Sequence, residues 1–511
     1  MLDYLLLILG TVFLTPIVLA LIRIYKSRVN LKFYEKQGLK VFFDPFKGPF
    51  GLYSKKHPGN DKRSNLEYLK KLAKENDHLP GIVANHIQDN MSAIFLHDPE
   101  YIREFLIQED NFDKGTTERG WPDHAGFWLY NGDKAAKGKA VFSDVFNYDA
   151  LSTFIPKLCE IIMECLQDFT KAKQIDSNSF KTINLDELCE DIFERVLYVL
   201  IFGQAKMEHT VLGKSVVKCV MDNFHLIPAV RTNPVFVLFP ELAARFRLCK
   251  QYHESYRYNE VLMDYMDKWY KKRESEGNLK NCVFDRIILH NQKCKKEGRM
   301  EDALDLQQVV GFVNIMQVTG SDTSQNTTKM VICKMGDRED LKELLNKING
   351  EIFDKHGLTD DQRLHEHELL ELWLKETLRI YTPAARVVPR VAKSDLVLKD
   401  LRIRKGDSLS VNYPGMMNKE EVFPDPEIFK LDRFSKENEK AIPKYQYIPF
   451  FVGKRNCLGK HLAELMIKLI TCHFIRTYDH KIPVGVEYYV QNILTNQVAN
   501  PFVDVRLKKA V

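Results

Sequence analysis

The ten cysteines are scattered over 511 residues with no C-x-x-C pair and no regular spacing. That pattern argues against a disulfide scaffold and against a zinc ribbon. Cys457 and His461 are four apart, a metal-compatible spacing, but no second ligand pair stands out. Linkers rich in Gly/Ser or Pro, internal repeats and low-complexity runs are missing after residue 50. Length alone would allow several domains; without a linker the chain reads as one large domain of about 460 residues. The net charge of +5 is small for this size and leaves no basic footprint for nucleic acid. No glycine-rich nucleotide-binding motif occurs, which excludes a fused nucleotide-cofactor module.

One long hydrophobic run is present. Leu5–Ile22 is apolar and uncharged over eighteen residues, enough to cross a bilayer, and Pro16 is expected to kink it. Only Asp3 is charged before it, so the positive n-region of a cleaved signal peptide is lacking. Arg23, Lys26, Arg28, Lys32 and Lys36 follow it, and the positive-inside rule places the rest of the chain in the cytosol, where reduced thiols belong. Pro45, Gly48, Pro49 and Gly51 then make a stiff entry. The expected organisation is an anchor over 1–24, a basic hinge over 25–51 and a single catalytic domain over 52–511.

Beyond the hinge, Leu151–Thr170, Ile183–Phe202, Tyr256–Glu276, Ala303–Lys334 and Leu364–Tyr381 carry apolar residues at helical spacing. Strand-like stretches are short: Arg386–Val391, Leu396–Ile403, Ser408–Asn412 and Gln491–Val498. Many helices with few strands predict a mainly α domain with a small β-sheet side region.

The chemistry centres on Phe450-Phe451-Val452-Gly453-Lys454-Arg455-Asn456-Cys457-Leu458-Gly459, about fifty residues before the C-terminus. A lone cysteine is usually a small buried hydrophobe. This one has a cation two residues before it and flanking glycines that permit left-handed turns and close backbone approach. An apolar helix over Leu458–Phe474 follows, its N-terminus favouring a thiolate. The frame suits a thiolate held against a metal.

The segment resembles the haem loop of the cytochrome P-450 family, F-x-x-G-x-R-x-C-x-G, with Phe450, Gly453, Arg455, Cys457 and Gly459 at every fixed position. The resemblance implies a helical prism with haem b between two long helices. It makes Cys457 the axial iron ligand and pairs Arg455 with a haem propionate. Lys375-Glu376-Thr377-Leu378-Arg379 is similar to the family's K-helix, where Glu376 and Arg379 share a helix face. Arg433 fits the third member of that structural set, although Leu431 stands where the family usually has proline.

Thr319-Gly320-Ser321-Asp322-Thr323 resembles the oxygen groove of the family's I-helix, with Thr319 in place of the usual small residue. Thr323 is placed to bond the carbonyl at Thr319 and bend the helix. The resemblance makes Asp322 and Thr323 the acid–alcohol pair that supplies protons. A departure lies at Ala135 and Lys139, where the family commonly has Trp and Arg. Lys139 retains a point charge for a propionate without the bidentate fork, and Arg390 is the candidate to compensate.

The implied activity is a monooxygenase that puts one atom of O2 into an apolar lipid, sterol or xenobiotic. Electrons would come from an NADPH-dependent flavoprotein reductase, with cytochrome b5 as a second donor. Lys444, Lys454 and Lys460 are the expected docking patch. The implied location is the endoplasmic reticulum membrane, single-pass, with the catalytic domain facing the cytosol. Substrate contacts are expected at 111–127, Phe224–Phe239, Ala384–Val388 and Leu494–Val498, with Phe224, Phe236, Phe239, Phe312 and Met316 forming an apolar pocket. Two other readings stay open: a peroxide-using or isomerising haem-thiolate enzyme, which would need no proton relay, and a non-enzymatic membrane-tethered haem-binding protein.

Overall fold

The computed structural model describes residues 2–44, 65–86, 91–114, 131–143, 146–204, 210–233, 235, 240–277, 279, 282–384, 386, 389–492 and 495–508. Its central helix, Leu306–Gly336, begins at a capping box: Asp305 Oδ1 accepts from Gln308 N at 2.8 Å and Gln308 Oε1 accepts from Asp305 N at 2.9 Å. Two amide donors of the first turn are thereby satisfied, which fixes the start sharply. The helix runs 31 residues, almost all buried, and no break interrupts it at Gly320. A Cβ on Gly320 would come within 3.4 Å of Leu197 on the Leu185–Phe202 helix, so the glycine serves a close helix crossing. The central helix also packs against Lys460–Thr477, the helix that follows Cys457.

The strand regions depart from expectation in a consistent way. Leu396–Ile403 is two strands, Leu396–Leu398 and Leu401–Ile403, folded on each other through a left-handed Lys399 (φ 57°). Gln491–Val498 is likewise a hairpin, Tyr489–Asn492 against Asn496–Ala499. In the first of them the adjacent Lys399 and Asp400 mark the turn in the sequence. A six-stranded sheet runs in the spatial order Lys40–Phe42, Gly81–His86, Met91–Leu96, Ser408–Val411, Arg390–Ala392 and Phe112–Lys114. Its last pairing sets Arg390 opposite Lys114.

Leu2–Glu35 is one helix and passes through Pro16 without a break. Among the described residues no helix is long and apolar enough to cross a membrane, so the expected transmembrane span is not shown. Most side chains of Leu5–Ile22 lie outside the described residues. The other end of this helix belongs to the folded body: Leu31 and Tyr34 are buried, and Tyr34 Oη donates to Asp407 Oδ2 at 2.6 Å. Pro45, Gly48, Pro49 and Gly51 lie outside the described residues, as do 115–127, Phe236, Phe239, Val388 and Leu494.

Candidate functional site

Nine of the ten cysteines are buried and Cys457 is exposed. Burial nevertheless pushes its thiol up; the Gly459 amide and Lys460 act in the opposite direction, while Glu464 adds to the rise. The residue is thus exposed, while enough protein lies around the thiol for desolvation to raise it. The loop that carries it is closed by Cys457 N donating to Phe450 O at 2.9 Å and Asn456 N to Gly453 O at 3.3 Å. Phe450 is partly buried against the main core. Gly453 has φ 84°, and a Cβ there would lie 2.7 Å from Glu109 Oε2, so both backbone and space demand glycine. Gly459 is the N-cap of Lys460–Thr477, which starts two residues later than expected.

Beside the loop opens a void of about 690 Å³ whose wall includes Glu109, Ala135, Lys139, Arg390 and Arg455. Cations outnumber carboxylates along that wall. Arg390 is 4% exposed. Burial, with Arg455 nearby, lowers its guanidinium to about 10. Lys139 is turned to the loop itself: Nζ donates to Lys454 O at 2.7 Å and Asn456 Oδ1 at 2.8 Å. Burial lowers its ammonium, an effect Glu109 opposes. Glu109 was not legible as a site residue; it is 8% exposed, and its Oε2 accepts from Lys454 N at 3.0 Å.

In the central helix, Thr323 Oγ1 donates to Thr319 O at 2.6 Å, the bond the spacing suggests, and Thr319 Oγ1 repeats it to Ile315 O at 2.7 Å. Thr319 is exposed although most of the helix around it is buried. The Asp322 carboxylate is buried and held by Asn326 Nδ2 at 3.2 Å, by Gln497 Nε2 at 3.4 Å and by the Thr495 hydroxyl. Thr495 and Gln497, from the C-terminal hairpin, carry no motif that would have marked them. Phe312 and Met316 are buried and Phe224 packs partly buried against the same core.

Glu376, Arg379 and Arg433 come together. Arg379 forks onto Glu376, Nε to Oε2 at 2.7 Å and Nη2 to Oε1 at 2.9 Å, and Arg433 Nε reaches Oε1 at 3.2 Å. Spare donors end on main-chain oxygens: Arg379 on Met417 O at 3.1 Å and Pro426 O at 2.6 Å, Arg433 on Pro424 O at 2.7 Å.

The body is mainly helical with small sheets, and its exposed cysteine sits in a loop that contributes Lys454 and Arg455 to a cationic wall. The fold resembles the crystal structure of the cytochrome P450DA heme domain, with a TM-score of 0.71 at 14% identity over 92% of this chain and 97% of that one. The family model described as Cytochrome P450 matches residues 53–500, and the chain belongs to that family. Relatives include cytochrome P450 3A40 of Oryzias latipes, 29% identical over 41% of this chain and 42% of that protein. Another is cytochrome P450 3A2 of Rattus norvegicus, 31% identical over 38% of this chain and 39% of that one. These alignments span about two fifths of each relative's length.

The family and fold bind haem, iron protoporphyrin IX, and are in general those of haem-thiolate monooxygenases. The residues here fit that group. An anionic cofactor edge suits the cationic wall, where Lys139, Arg390 and Arg455 outnumber Glu109.

Proposed function

We propose that this chain is a membrane-anchored monooxygenase acting on an apolar organic substrate of the lipid, sterol or xenobiotic class. The reaction takes up O2, two electrons and two protons, places one oxygen atom in a substrate C–H bond and releases the other as water. Haem, when bound, supplies the oxygen chemistry, with a thiolate ligand whose electron donation favours O–O cleavage.

The chain's own groups have separable tasks. Cys457 provides the sulfur at the N-terminus of an eighteen-residue helix. Arg455 and Arg390 receive the cofactor's carboxylates, and Lys139 braces the loop between them. Thr323 holds a hydroxyl on the accessible side of the central helix, and Asp322 is the acid behind it, fixed by the C-terminal hairpin. A positioned hydroxyl backed by a carboxylate is suited to delivering protons. Phe312 and Met316 contribute apolar surface.

Electrons come from an NADPH-dependent flavoprotein reductase, with cytochrome b5 as a second donor. Lys444, Lys454 and Lys460 are all exposed near the thiol side. Lys454 is tied to Asp110 at 2.7 Å and Lys460 lies 3.9 Å from Glu464, so Lys444 carries most of the steering charge. Leu5–Ile22 and the cations after it support a single-pass anchor in the endoplasmic reticulum membrane with the domain in the cytosol.

The observation that carries the reading is the single exposed cysteine, in the one loop whose glycine, arginine and cysteine spacing is complete. Reconstitution in vesicles with reductase tests it: substrate oxidation is expected to require both NADPH and O2. Turnover with neither would contradict it.

A further inference from the structure

Glu109 occupies a short turn, Glu109–Asn111, between the helix Pro99–Ile107 and the strand Phe112–Lys114. A carboxylate that is more than nine-tenths buried normally satisfies both oxygens. Here Oε2 takes the Lys454 amide at 3.0 Å, while Oε1 has no hydrogen-bond partner and the residue lines the void with Lys139, Arg390 and Arg455. The same Oε2 would lie only 2.7 Å from a Cβ on residue 453, so the carboxylate sits close against the Gly453 turn. Lys139 grips that turn from the other side, through Lys454 O and Asn456 Oδ1. The segment Gly453–Asn456 is therefore clamped by one anion and one cation, each from an element far away in sequence. This clamp stands where the family's tryptophan and arginine are replaced by Ala135 and Lys139.

We propose that Glu109 is a positioning residue for the haem loop: it fixes the Lys454 amide, and thereby the direction of Arg455, and it places a negative charge among the cations that receive the cofactor's carboxylates. The inference rests on Cys457 being the iron ligand, which the wild-type spectrum tests by itself.

The full-length, haem-loaded protein is compared with E109A and E109Q. Three quantities are read: the rate of haem transfer to an excess of haem-free globin, the midpoint potential, and the reduced carbon-monoxide spectrum. Removing a hydrogen bond to a charged acceptor is expected to speed haem loss in E109A by about tenfold or more. E109Q keeps an acceptor for the Lys454 amide, so its haem loss is expected within about twofold of wild type, because the bond survives without the charge. Its midpoint potential should move positive, since a nearby anion stabilises the oxidised cofactor. Wild-type haem retention in E109A overturns the inference. So does an E109Q protein that loses haem as fast as E109A, or one whose potential matches wild type.

Discussion

Glu376 and Glu109 are both buried carboxylates among arginines, and they are wired differently. Around Glu376 each guanidinium bond has a partner within 3.4 Å and the spare donors reach main-chain oxygens. Around Glu109 one carboxylate oxygen lacks a partner, and burial depresses the neighbouring Arg390. A set of charges closed by its own hydrogen bonds stabilises a fold even though Arg433 also borders a void of about 310 Å³, whereas the cation-rich set beside a void of about 690 Å³ is arranged for an anionic ligand. The residue types are the same; what separates structure from binding is whether the hydrogen bonds are complete.

The contrast is broken most severely at the closed cluster. Glu376→Ala leaves two buried guanidiniums facing a gap, and denaturant unfolding of the haem-free protein should show a loss of about 3–5 kcal/mol. A loss below about 1 kcal/mol would put the two clusters in the same class. Arg390→Leu reverses the pattern. Haem-free stability should stay within about 1 kcal/mol of wild type or rise, because burial and the nearby Arg455 both disfavour the charge that the apolar residue replaces. Haem loss should accelerate by about tenfold, the equivalent of about 1.4 kcal/mol of lost binding.

Thr323→Val removes one back-bond in a helix that keeps its neighbours, so stability should change by about 1 kcal/mol or less. Product formed per NADPH should nevertheless fall, with peroxide rising, as monitored by a peroxide assay during turnover. Lys139→Ala should lower the unfolding free energy by about 1–2 kcal/mol, from two lost charge-assisted bonds at a partly exposed site. Alkylation sharpens the picture from the other side. Mass spectrometry of the haem-free protein should find Cys457 modified first, since the other nine thiols are buried, and haem should protect it.

How much of this was readable in advance depended on how local the information was. The Cys457 loop and the Glu376–Arg379 pair each sit within one loop or one helical turn, so their residues are visible together in the sequence, and the family resemblance gives them their meaning. Arg433 joins from 57 residues away and was placed only through the family resemblance. Glu109 and Thr495 reach their partners across 345 and 173 residues, and nothing around them in the chain carries that information. Helices were recovered to within a few residues where apolar periodicity was strong, as in Leu306–Gly336. Two stretches with strand composition are hairpins; each is short enough that composition alone does not separate its two arms. Lys139 was expected to face a propionate; its two bonds to the loop show a bracing role that residue type alone could not reveal.

The central claim is that Cys457 ligates haem iron, and the most direct test is the absorbance spectrum of the reduced, carbon-monoxide-bound protein. Wild type should show the Soret shift diagnostic of a thiolate ligand, and Cys457→Ala should lose it. A thiolate-type band that persists in Cys457→Ala would contradict the account.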